Sequence, residues 1–140
     1  MDRLRPSVES LVRGIEQGRC GLEPDVVHEF IWAMFDLNEG EKHRTAMAAL
    51  LVLDGNLHMW ERDASSALRS YQAIDQMVPS ADSMLRIAGV FAVVHDYPKV
   101  IEALNIAMER EQRGGALTDE LRQDYQIKIR RFETLAEENR

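Results

Sequence analysis

The sequence has a single cysteine, Cys20, among 140 residues, which excludes an internal disulfide framework and any cysteine-built zinc cluster. It has only four prolines and few aromatics, and no sustained apolar/polar alternation or hairpin dipeptide between β-branched runs, so a sheet is not expected. Long hydrophobic runs are missing as well. The longest, Thr45 to Leu53, is about nine residues, well short of the roughly 20 that a membrane-spanning helix requires. Basic residues are outnumbered seventeen to twenty-four, and the net charge of -7 argues against a nucleic-acid binder, which needs a basic face for phosphates. The acidity is concentrated between residues 21 and 65, where three basic residues stand against nine acidic ones.

Helical signals fill the space these absences leave. Hydrophobic residues make up 45% and charged residues 29%, the balance of a globular chain with a real interior. Pro6-Ser7 opens a first helix carrying Leu11, Val12 and Ile15, and Pro24 opens a second with Val26, Phe30, Ile31 and Met34. A third runs from about Glu41 to Trp60. Asp63 caps a fourth with Ala67, Leu68, Tyr71 and Ile74; Ser80 caps a fifth with Leu85, Ala88 and Phe91 that breaks near His95-Asp96. A sixth follows Pro98 up to Gly114-Gly115, and Thr118 caps a last helix whose stripe is Leu121, Tyr125, Ile129, Phe132 and Leu135. The expectation is an all-α chain of about seven helices, with connections short enough to force antiparallel hairpins.

Within this series a period recurs. Ala67, Tyr71 and Ile74 are matched in the next hairpin by Val100, Leu104 and Ala107; Asp63 is matched by Asp96 at the same offset, and Gly55 by Gly89 one place further on. These positions resemble the tetratricopeptide repeat, a helix-turn-helix unit of about 34 residues. Gly55, Asp63, Ala67, Tyr71 and Pro79 stand at the family's Gly, turn, small, aromatic and proline places. The departures are Asp54 in place of an apolar residue before Gly55, Ile74 where alanine is usual, and the β-branched Val100. The resemblance covers residues 48–81 and 82–113 well and 6–38 only as a degenerate hairpin, with 117–138 as the capping helix of a single domain, 1–140.

The resemblance implies a superhelical stack whose first helices line a concave groove. On this chain that places Val52, Asn56 and Met59 in the groove from one repeat, and Arg86, Val90 and Val93 from the next, with Arg69 on the outer face. It implies a non-enzymatic adaptor or chaperone-like module that takes a protein or peptide segment, a second copy of the chain included, without nucleic acid, metal, cofactor or membrane insertion. It also implies an alternative, the soluble repeat domain of a bacterial membrane-embedded O-antigen polymerase or ligase. The expected compartment is the cytoplasm for a complete chain and the periplasm for such a fragment.

Chemistry-bearing motifs are sparse. His28 has no second histidine one helical turn away, so no metalloprotease pair exists, and His28, His43, His58 and His95 are expected to be partly exposed helical residues. Cys20 lacks a neighbouring base and reads as a spare thiol. Gly14, Gly18 and Gly21 follow no strand and precede no Gly-Lys-Ser/Thr, so they form no phosphate loop. A Gly-x-Ser-x-Gly elbow is absent, the pairs Glu39/Glu41 and Glu137/Glu138 read as solvated helix ends, and Met34 and Met77 sit at core spacing.

Overall fold

The computed structural model of the chain describes residues 26, 28–29, 31–33 and 44–139. The first expected helix, Cys20, His43 and most of the 6–38 hairpin lie outside the described residues. Among the described residues all regular structure is helical and there is no strand. Residues 26, 28–29 and 31–33 have helical backbone, and five helices follow: α1 (Arg44–Trp60), α2 (Ala64–Met77), α3 (Ala81–Val93), α4 (Tyr97–Arg113) and α5 (Asp119–Glu138). None of these helices is long and apolar enough to cross a membrane. The chain divides into two compact units between Val78 and Pro79.

In the first unit α1 packs against α2. The core stripe of α1 is Met47, Leu50, Leu51 and Asp54, all almost fully buried and spaced so that they share one helix face. α2 answers with Ala67, Ser70, Tyr71 and Ile74. Gly55 is the point of closest approach: a Cβ built there would stand 2.4 Å from Tyr71 Cε1, so only glycine lets the ring lie across α1. The Tyr71 hydroxyl then reaches over and donates to Asn56 Oδ1 at 2.6 Å.

In the second unit α3 packs on α4, and α4 on α5. Its core holds Met84, Ile87, Ala88 and Val90 from α3, Val100, Ala103, Leu104 and Ala107 from α4, and Tyr125 and Ile129 from α5. Ser80 begins α3 with a reciprocal capping box: its hydroxyl accepts from the Ser83 amide at 3.0 Å, and its own amide donates to Ser83 Oγ at 3.1 Å. The Arg110 guanidinium, from the far end of α4, donates to the Ser80 carbonyl at 2.9 Å. Thr118 caps α5 by accepting from Leu121 N at 3.1 Å. Gly89, which the sequence sets against Gly55, is exposed, and a Cβ there would meet nothing within 4 Å; the buried Ala88 stands at the place equivalent to Gly55.

The two hairpins nonetheless turn in the same way. Arg62 and His95, at matching places of the two turns, both take left-handed backbone (φ 63° and 61°), an uncommon state for residues with a Cβ. Around each, the same bonds close the helix: Arg62 N to Met59 O (3.1 Å) and Asp63 N to His58 O (2.8 Å), His95 N to Ala92 O (3.1 Å) and Asp96 N to Phe91 O (2.9 Å). This is the Schellman arrangement, built twice on non-glycine residues. The next helices then start with equivalent bonds, Ala67 N to Asp63 O and Val100 N to Asp96 O, both 3.1 Å. The pairs Ala67/Val100, Ser70/Ala103, Tyr71/Leu104 and Ile74/Ala107 are all buried.

Candidate functional site

The six expected groove residues fare differently. Val90 is 2% exposed and packs inside the second unit, so its side chain is not offered to a partner; it points into the hairpin because Ile87, Val90 and their neighbours form the apolar stripe of α3. Val52 and Met59 are half-buried on α1. Asn56 is exposed, with its side-chain oxygen engaged by Tyr71. On α3, Arg86 Nε donates to Asp82 Oδ2 at 3.1 Å, one turn back, and Val93 is 60% exposed. Asp82, Arg86, Gly89 and Val93 share the face of α3 turned away from its core. Arg69, expected on the outer face, stacks its guanidinium 4.0 Å above the Trp32 ring.

A second constellation, which sequence reasoning does not anticipate, lies in the first unit. Asp54 on α1 is fully buried. Its Oδ2 accepts from Trp32 Nε1 at 3.2 Å and from the Ser70 hydroxyl on α2, while Oδ1 is in contact with His28 Nδ1. The other nitrogen of His28, Nε2, stands 2.8 Å from Glu61 Oε1. His58, one turn along α1 from Asp54, stacks on His28 with ring centroids 3.7 Å apart and planes only 6° from parallel. Its Nε2 faces Asp54 Oδ2 at 3.5 Å, and its Nδ1 faces Asp63 at 3.9 Å and Glu61 at 4.0 Å.

Helical periodicity builds this cluster. Asp54 and His58 are one turn apart at the end of α1, Glu61 follows three residues on in the turn just after it, and His28 and Trp32, four residues apart, both have helical backbone. The signal in the sequence is Asp54 itself. It continues the stripe of Met47, Leu50 and Leu51, and a carboxylate at a core position demands hydrogen-bond donors or cations around it. Searching for two histidines on one helix misses a pair contributed by two segments.

The electrostatics follow from the surroundings. Burial of His28 opposes its charged form, but the hydrogen bonds to the Glu61 and Asp54 carboxylates outweigh that and hold its pKa above the ordinary histidine value. Asp63 is held below the usual carboxylate range by the Ser66 hydroxyl and amide that it accepts from. Ser70, Asp54 and His28 are not a nucleophilic triad: the hydroxyl donates to the carboxylate and not to an imidazole, and Ser70 is completely buried. Among the described residues, His28, Asp54 and His58 are the group whose ligand-type atoms, one per residue, all lie within 4.8 Å of one another.

Comparison with known proteins returned no matching protein family, no similar curated protein and no similar solved structure.

Proposed function

We propose that this chain is a non-enzymatic interaction module of the tetratricopeptide type, holding a segment of another protein against the first helix of its hairpins. The observation that carries this reading is the outward face of α3. Gly89 there leaves backbone uncovered, Val93 and Val94 are exposed apolar residues, and Arg86 lies along the same face with its charge only partly shielded by the exposed Asp82. Uncovered backbone beside valine lets a partner chain come close, and a guanidinium orients it through a carboxylate or carbonyl. The recurrence of turn geometry and buried positions from one hairpin to the next supports the repeat on which the reading depends.

The occupant is an extended or helical segment with an apolar side chain for Val93 and an acidic or carbonyl group for Arg86. A peptide selected from a display library on the wild-type chain should lose affinity roughly thirtyfold in Arg86→Ala, the weakening expected of an arginine anchor worth ~2 kcal/mol. Val93→Asp should weaken it further, whereas Arg122→Ala on α5 should leave it unchanged. Arg69 is unsuitable as a neutral control because it covers Trp32. Selected peptides that bind equally well to Arg86→Ala and Val93→Asp would remove α3 as the binding face.

A further inference from the structure

We propose that His28, Asp54 and His58 form a divalent-cation site of the zinc class, clipping the helical residues that carry His28 and Trp32 to the α1–α2 hairpin. Three independent features point there. The first is the donor set, two imidazoles and one carboxylate, which suits zinc and its neighbours in the transition series better than magnesium or calcium.

The second is the outer layer of contacts. A histidine that holds a metal through one nitrogen commonly gives its other N–H to a carboxylate, which fixes ring and tautomer. His28 meets the outer half of this description, with Nε2 2.8 Å from Glu61, while its Nδ1 is hydrogen-bonded directly to Asp54, where an ion would replace the shared proton. His58 repeats it more loosely, with Nε2 toward Asp54 and Nδ1 toward Asp63 and Glu61. Asp54 is itself oriented by Trp32 and Ser70, both donating to Oδ2.

The third is charge. Asp54, Glu61 and Asp63 gather around two imidazoles stacked face to face at 3.7 Å. One divalent cation answers this concentration of carboxylate charge while each ring keeps one N–H to donate outward. The guanidinium of Arg69 is engaged elsewhere, over the Trp32 ring.

Parallel rings direct their lone pairs side by side, so closing on one ion requires a ring to turn about its Cβ–Cγ bond. His58 is the one that turns, since its nitrogens stand 3.5–4.0 Å from the surrounding carboxylates, beyond firm hydrogen bonds; His28 Nδ1 and Asp54 Oδ1, now in direct contact, move apart to admit the ion while Nε2 keeps Glu61.

The test uses the full chain, dialysed against chelator and then titrated with zinc chloride in a calorimeter. One ion should bind per chain and raise the melting temperature. His28→Asn and His58→Asn should each weaken zinc at least tenfold, and Glu61→Gln should weaken it ten- to a hundredfold through the lost ring orientation. His95→Asn should bind as the wild type does. An absence of zinc binding by the wild type at micromolar concentrations overturns the proposal, as does a loss smaller than tenfold in either His28→Asn or His58→Asn. If those variants fail to keep the wild-type helical dichroism, the cobalt-substituted wild type decides. Intense four- or five-coordinate visible bands with paramagnetically shifted protons from two imidazoles support the site, and weak six-coordinate bands without them overturn it.

Discussion

At the scale of single residues, one glycine is obligatory and another, which the sequence sets beside it, is not. Gly55 and Gly89 occupy nearly matching places in the sequence, yet Tyr71 lies across the first while the second faces open space. The difference follows from register: the two turns are related by 33 residues, so the structural equivalent of Gly55 is the buried Ala88, and Gly89, one place on, stands about 100° further round the helix and faces outward. Gly55→Ala must displace a buried ring that is anchored by its hydroxyl to Asn56, and should destabilise by ~1–3 kcal/mol even after the gain in helix propensity. Gly89→Ala, with no neighbour to meet, should stabilise by about 0.5–1 kcal/mol. Chemical denaturation of the two variants gives both values, and equal effects would refute the close approach at Gly55. The buried acid is the other lesson at this scale. Asp54 stands out in the sequence as a charge on an apolar stripe, but its partners His28, Trp32 and Ser70 are 26, 22 and 16 residues away, beyond the reach of any local pattern.

At the scale of elements, the helix ends follow from local chemistry. Asp63, Ser80 and Thr118 cap where short polar side chains precede apolar runs, because each oxygen takes an amide that the helix leaves unpaired. The stripe of α5 behaves as its spacing requires: Tyr125 and Ile129 are buried, and Phe132 lies 6.0 Å from Tyr97. Tyr125 also makes the docking of this helix sensitive to alkali. Burial, with a smaller push from the charge of Glu111, raises its phenol above the ordinary tyrosine value. A group whose folded pKa is raised keeps its contribution at pH values below its unfolded pKa, about 10, and loses it as pH rises through the folded value. The melting temperature should therefore fall more steeply above about pH 10 in the wild type than in Tyr125→Phe, which has no phenol to ionise. Parallel melting curves of the two proteins across that range would exclude this linkage.

At the scale of the molecule, the chain is two compact units, and the second carries its own core from Met84 to Ile129. A helical unit of about 60 residues is marginal but sufficient when its apolar faces are internally satisfied. The fragment 79–140 should accordingly keep a helical circular dichroism spectrum and melt cooperatively, at a lower temperature than the full chain; a broad, non-cooperative melt would show that its core is incomplete. The sequence alone determined the helical class, the caps and the recurrence of turn and core positions from Asp63 to Ala107, because these depend on chemistry within a few turns of chain. Tertiary structure decided the rest. Val90 went to the core and Val93 to the surface, because the packing of α3 on α4 selects which apolar residues of one helix are covered. His28 and His58 became a stacked pair around Asp54, because only the packing of separate helical segments brings side chains so distant in sequence onto a single carboxylate.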